Sequence, residues 1–276
     1  SFFSNYERME GFMMLFHVYL YFLMLVSVFR DKRDWLIFFH TTLAASIGVA
    51  AGGLSQKLGL ASSIQGGNRV DSTIGNPTYL ASYLSFHVWI VLLLFKEFWR
   101  VWWLRIIYAI ALLFILTIMY FTATRGMMFA YFIIIPLLLL ALIVWWRKIF
   151  PDHPRRRKWI VAVLVLLVLV PILIWPMRDF RPIRRSPFIS RLRAFSLQDK
   201  TTQSRFSIWR MSFNGFLERP ILGWGQENYY LVFQKYFDPK LYSSEPWFDR
   251  SHNLVLDWLV HAGLPGFFAF FSLLGS

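Results

Sequence analysis

Apolar residues run along this chain in long unbroken blocks, each closed by a short polar segment. Six blocks match or approach the roughly 20 residues a helix needs to cross a bilayer. They are Gly11–Phe29, Trp35–Leu54, Tyr79–Phe95, Leu104–Thr122, Met127–Trp146 and Trp159–Met177. The last two are apolar on every face, a pattern that excludes an amphipathic surface helix. A seventh block begins near Asn253, interrupted by Asp257, His261, Gly263 and Pro265. It reads as an interfacial helix leading into a span that starts near Leu264. The pattern predicts an all-α, polytopic transmembrane protein in three regions. Residues 1–177 form transmembrane helices with short loops, 178–252 a large polar loop, and 253–276 a return helix and the start of a further span. The chain begins without Met and stops inside an apolar stretch, so we expect a piece of a longer protein with spans absent at both ends.

The loops separate by charge. Arg30–Asp34, Lys96–Trp103 and Arg147–Lys158 hold three, two and six Lys or Arg, whereas Ser55–Thr78 and Ala123–Arg125 hold only Lys57, Arg69 and Arg125. Basic residues in short loops stay on the cytoplasmic side. The first set is therefore expected inside and the second outside, together with the 75-residue segment Arg178–His252. Composition agrees: 57% of the 276 residues are hydrophobic and 16% charged, against about 25% charged in a soluble domain. Aromatic residues make up 20%, enough to line both membrane interfaces. The absence of Cys excludes disulfide scaffolds, thiol nucleophiles and cysteine-ligated metals. A net charge of +14 calls for an anionic partner: nucleic acid, lipid headgroups or a phosphorylated substrate. Its placement on a membrane protein's loops points away from nucleic acid.

The large loop opens with six arginines and no lysine: Arg178, Arg181, Arg184, Arg185, Arg191 and Arg193. A guanidinium fork suits bidentate contact with phosphate oxygens. A solvated basic segment lying on anionic lipid has the same composition. Next, Thr201, Thr202 and Ser204 offer N-caps to an amphipathic helix on which Phe206, Trp209, Phe213 and Phe216 recur at helical spacing. Pro220, Gly223 and Gly225 break it, and ENYYLVFQKYF reads as a second short helix, the pair lying on the membrane surface. The loop closes with Asp249, Arg250 and His252 where the chain returns to the bilayer. A histidine beside a carboxylate can act as a general base near neutral pH, or it can simply cap a loop carbonyl. Arg69 and Asp71 stand in a Gly, Asn and Pro-rich turn, and Arg125 in a very short outer turn. A lone arginine there seeks an anion or a carbonyl, or snorkels to lipid phosphates.

Four segments together resemble the O-antigen ligase and polymerase superfamily of bacterial membrane glycosyltransferases. They are GNRVDSTIGNPTYLASYL, the TATRG turn, RFSIWRMSFNGFLERPILGWGQENYY and DRSHNLVLDWLVHAGLPG. The third and fourth are the more specific. The resemblance spans roughly Gly66 to Gly266 and implies a GT-C-like helical enzyme of the bacterial inner membrane, its site facing the periplasm. It implies Arg125 and Arg205 as contacts to a donor diphosphate and His252 as catalytic base, with Asp249 orienting it or serving as the base; Arg69, from its polar turn, is expected as a further diphosphate contact. Arg250, Trp209, Asn253, Arg191 and Arg193 are further candidates. The turn reads Thr124-Arg125 where Ser-Arg is commoner in the family.

The resemblance further implies a donor glycan on undecaprenyl diphosphate and a hydroxyl-bearing acceptor: a lipid core sugar, a glycan or a protein. The departing diphosphate needs a metal or fixed cations. With no Asp-x-Asp pair or ligand-spaced His and carboxylate cluster facing outward, we expect inverting transfer without metal or other cofactor. Ligase, repeat-unit polymerase and protein O-oligosaccharyltransferase share this chemistry. A transporter of lipid-linked sugars or small anions is the rival from another class. Its usual intramembrane acids are missing, since the six spans hold only His17, His40, His87 and Arg105 as ionisable His, Lys, Arg or acidic residues. A scaffold presenting the loop to partner enzymes is a further rival.

Overall fold

A computed structural model describes residues 11–64, 69–149, 157–174, 176, 180, 200–243 and 247–275. The described residues form helices and connecting turns, with no strand among them. The helices are α1 (Phe12–Val28), α2 (Lys32–Lys57), α3 (Pro77–Glu97), α4 (Trp102–Thr122), α5 (Arg125–Val144), α6 (Trp146–Ile149), α7 (Arg157–Ile174), α8 (Lys200–Glu218), α9 (Tyr229–Lys235) and α10 (Leu254–Gly275). Five of them, α2, α3, α4, α5 and α10, are long and apolar enough to cross a bilayer. The chain is an all-α, multi-pass membrane protein. It divides into two compact units, residues 31–194 and residues 1–30 together with 195–276.

In the first unit the core is built by α2, α3 and α4. Leu80, Leu84, Val91 and Leu94 recur on one face of α3 and meet Ile115 and Ile118 of α4, all fully buried. Helix α2 approaches through small residues. A Cβ on Gly53 would stand 2.9 Å from both Ile118 Cγ2 and Val70 Cγ1, so glycine permits the close packing. Inside this core His40 Nδ1–H donates to the Leu36 carbonyl (2.6 Å), leaving Nε2 to accept from Tyr108 (2.8 Å). His87 likewise donates to the Tyr83 carbonyl at 2.9 Å. These intramembrane histidines are therefore satisfied within their helices and one neighbour. Helix α3 starts where Gly75 takes φ +76°, Asn76 accepts from Thr78 N–H (2.8 Å), and Pro77 occupies the first turn.

In the second unit α8, α9 and the first half of α10 enclose Ile208, Met211, Tyr229, Val232, Phe233 and Val260. Here the structure corrects one expectation. Helix α8 begins at Lys200, so Ser204 lies inside it and bonds back to the Lys200 carbonyl rather than capping an end. Its buried face is Ser204, Ile208, Met211, Ser212 and Gly215, while Phe206 and Phe213 are exposed. Close packing decides the face: the Gly215 Cα sits so near Val232 that any side chain would collide. Helix α10 breaks at Gly263 (φ +62°, ψ −164°), the place where the sequence predicts an interfacial helix to end and a span to begin. The PILGWG segment docks on that break. Trp224 N–H donates to Val260 O (2.8 Å), Gly225 N–H to His261 O (2.9 Å) and Leu264 N–H to Pro220 O (2.9 Å).

Candidate functional site

In the first unit, helix α4 stops and α5 starts within one tight turn. Ala123 adopts φ +48°, the left-handed conformation that ends a helix, and Thr124 and Arg125 follow. The last carbonyls of α4 need donors from outside the helix. Arg69 supplies one: its Nε–H donates to Thr122 O (2.9 Å), and an Nη2–H donates to Thr124 Oγ1 (3.2 Å). Thr124 passes its own proton to the Pro77 carbonyl at 3.2 Å. Arg125 is different. It is half-buried, its Nε is shut away from solvent, and that atom has no hydrogen-bond partner among the described residues. Such a donor calls for an acceptor. Beside it, Gly126 leaves open space at the head of α5.

An apolar cavity of about 290 Å³ opens from the same turn, between α4 and α5 with Leu167 of α7. Thr124, Met127, Met128, Tyr131 and Pro136 line its α5 side. Pro136 removes one helical hydrogen bond and releases the Phe132 carbonyl.

In the second unit, the return to the membrane is held from three directions. Trp209 Nε1–H donates to Ser251 O (3.1 Å). Asp257 Oδ1 accepts from Ser251 N–H (2.8 Å) and Ser251 Oγ–H (2.7 Å). Asn253 caps α10, its Oδ1 accepting from Val255 N–H at 3.1 Å. Between these fixed points His252 takes φ +51°, a strained conformation for a residue with a Cβ, and its ring is exposed. The ring meets Phe248 edge-on at 5.6 Å and makes no hydrogen bond among the described residues, neither to a loop carbonyl nor to Asp249. Arg250 is ion-paired with Glu227, which is fully buried and itself at φ +61°. Arg205 is exposed on α8, one turn before Trp209, and donates no hydrogen bond among the described residues.

The chain matches the O-antigen ligase family over residues 110–271, more than half its length. It belongs to the O-antigen ligase family. Membership makes it a glycosyltransferase-type membrane enzyme, and the family implies a lipid-linked glycan donor and a glycan acceptor. No curated protein and no solved structure is similar enough to the chain to count as a match. The family match includes Arg125, Arg205, Trp209, Asp249, Arg250, His252 and Asn253 and leaves out Arg69.

Against the sequence expectations, the structure gives Trp209 and Asn253 the work of fixing the His252 turn, and Arg250 a buried partner. Arg191 and Arg193, with the arginine run they belong to, lie outside the described residues. Three residues of this family member escaped sequence reasoning: Asp257, Ser251 and Glu227. Asp257 carried a usable signal, an acid in the first turn after an Asn cap. Nothing in the order of residues marks Glu227, whose importance comes from burial. Among the described residues no three His, Asp or Glu side chains are grouped as a metal ion would require.

Proposed function

We propose that this protein transfers a glycan from an undecaprenyl diphosphate-linked donor to an acceptor hydroxyl at the periplasmic face of the bacterial inner membrane, with inversion and without a metal. The observation that carries this reading is Arg125: a guanidinium whose buried Nε has no hydrogen-bond partner among the described residues, at the head of an apolar helix next to an apolar cavity. An isoprenoid diphosphate has those two parts, a polyanionic head and a long hydrocarbon tail.

In this scheme the bond between the anomeric carbon and the diphosphate oxygen breaks, and its electron pair stays on that oxygen. Arg125 and Arg205 neutralise the growing charge with charge-assisted hydrogen bonds. The acceptor oxygen attacks the anomeric carbon from the opposite face and gives its proton to His252. An exposed ring with no hydrogen bond among the described residues can receive that proton. Asp249 does not hold the ring in this structure, so orientation comes from the backbone through Ser251 and Asp257.

The test is transfer by full-length protein in liposomes with an undecaprenyl diphosphate-linked glycan, with and without EDTA. We expect turnover that survives EDTA and falls at least about 100-fold in both Arg125→Ala and His252→Ala. Loss of turnover in EDTA would overturn the metal-free scheme. Full turnover by His252→Ala would remove the histidine from it, and donor uptake without glycan transfer would favour a carrier.

A further inference from the structure

Arg69 lies outside the residues that match the family and in the same unit as the Thr124-Arg125 turn. We propose that it is a positioning residue, a clamp that sets the direction of Arg125, instead of the direct donor contact its sequence context implies. The proposal rests on the reading of Arg125 as the residue that meets the donor's phosphates.

The clamp has two jaws. Arg69 Nε–H and Nη2–H lie on one edge of a planar guanidinium and reach Thr122 O and Thr124 Oγ1, two acceptors on either side of Ala123. Ala123 is the left-handed residue of the turn. A residue with a Cβ keeps that conformation only where its surroundings over-determine it, and these two bonds bracket it. The neighbouring Val70 N–H adds a third contact, to Phe121 O at 3.4 Å. Thr124 Oγ1, gripped by Arg69, in turn donates to Pro77 O at the start of α3.

A clamp must itself be anchored, and this one is anchored to α2. Asp71, two residues on, is completely buried; its carboxylate accepts from Gln56 Nε2–H (2.8 Å) and Ser63 Oγ–H (2.8 Å). Gln56 Oε1 returns the contact, accepting from the backbone N–H of Asp71 (3.1 Å) and Ser72 (2.8 Å). Ser72, at φ +51°, donates through Oγ to Val49 O at 2.6 Å. The loop is therefore tied to the last three turns of α2, and through Arg69 the same ties reach the head of α5. Charge is incidental to this job, and the geometry of the donors is what matters.

That distinction sets the experiment. Glutamine carries an N–H donor the same number of bonds from Cα as arginine Nε, without the charge; lysine keeps the charge and loses the fork. In the liposome assay Arg69→Ala should lower kcat/KM on the order of 100-fold, as misplacement of a binding group does. Arg69→Gln should retain more activity than Arg69→Lys. Thr124→Val, which removes one acceptor of the clamp and the bond to Pro77 O, should reproduce part of the Arg69→Ala loss, and the two changes together should cost less than the sum of their separate losses. Lysine rescuing as well as or better than glutamine would overturn the clamp in favour of direct anion contact.

A second readout separates this proposal from the one beneath it. The chain has no Cys, and a Cβ at Gly126 meets nothing within 4 Å, so a spin label on Gly126→Cys reports the turn alone. The label should loosen in Arg69→Ala and stay immobile in Arg69→Gln. Equal immobility in Arg69→Ala would end the proposal. A loosened label combined with wild-type turnover by Arg125→Ala would instead retire the donor role of Arg125 and leave the clamp standing.

Discussion

Gly263 and Gly223 accept no side chain, and the reason is chemical as well as steric. Both hold positive φ, and both face carbonyl groups: a Cβ on Gly263 would collide with Ile221 O, and one on Gly223 would stand 2.5 Å from Val260 O. These are backbone atoms already engaged in the docking of PILGWG on α10, so nothing can swing aside. Alanine at Gly263 should destabilise the second unit by at least about 1–3 kcal/mol from the backbone conformation alone, before any overlap is counted. Thermal unfolding in detergent checks it, and an unchanged midpoint would show that the docking relaxes. Tyr229 gives the milder contrast. Its hydroxyl is buried and shares hydrogen bonds with Ser212 (2.9 Å) and the Ile208 carbonyl (3.3 Å), while Ser212 keeps its own bond to Ile208 O (2.7 Å). Burial pushes the phenol well above its ordinary range, so it stays neutral. Tyr229→Phe should therefore cost only about 1 kcal/mol, the net worth of a hydrogen bond whose partner remains satisfied.

Among elements, the contact between the end of α8 and the end of α9 depends on pH. The Lys235 ammonium (2.5 Å) and the Tyr236 hydroxyl (2.8 Å) both donate to Glu218 and hold its carboxyl below its ordinary value of 4.5. A carboxylate depressed on folding stabilises the fold above that ordinary value, and the gain fades as pH falls through the lower folded value. Amide protection across Tyr229–Lys235 should weaken on acidification below about pH 4.5, and Glu218→Gln should flatten that dependence. Equal slopes in the two proteins would remove the link. Helices such as α3 and α4 are legible from the chain because an unbroken apolar run has one outcome in lipid. The buried face of α8 is not. Phe206 and Phe213 have the right spacing, but Ser212 and Gly215 allow the closer approach to α9, and a small residue leaves no mark in an apolar pattern. The site divides in the same way. Arg125, Arg205 and His252 stand in motifs that resemblance can find, whereas Arg69 is joined to Thr122 across 53 positions of sequence that no local pattern connects.

For the whole molecule, the direction of insertion decides whether the proposed chemistry can occur where its substrates meet. The loops holding Arg30, Lys32, Arg33, Lys96 and Arg100 and the segment Arg147–Lys158 carry eleven Lys or Arg, and the opposite loops Ser55–Thr78 and Ala123–Arg125 carry three. That bias leads us to expect the basic loops in the cytoplasm. On that expectation Arg125 lies outside, and the segment containing Arg205 and His252 lies outside as well if the apolar block Trp159–Met177 makes a further crossing. The absence of Cys makes this directly measurable. Leu60 and Gln203 are exposed in segments expected outside, Arg33 and Arg100 in segments expected inside. Cysteines placed singly at Leu60 and Gln203 should react with a membrane-impermeant maleimide on intact spheroplasts. Those at Arg33 and Arg100 should react only after the membrane is opened. The reverse pattern would put Arg125 and His252 in the cytoplasm and end the periplasmic scheme, whatever the purified enzyme does in liposomes. A split result, with Leu60 labelled from outside and Gln203 from inside, would place the two arginines on opposite faces. One diphosphate could not then be held by both, and Arg205 would have to leave the mechanism while Arg125 stayed in it.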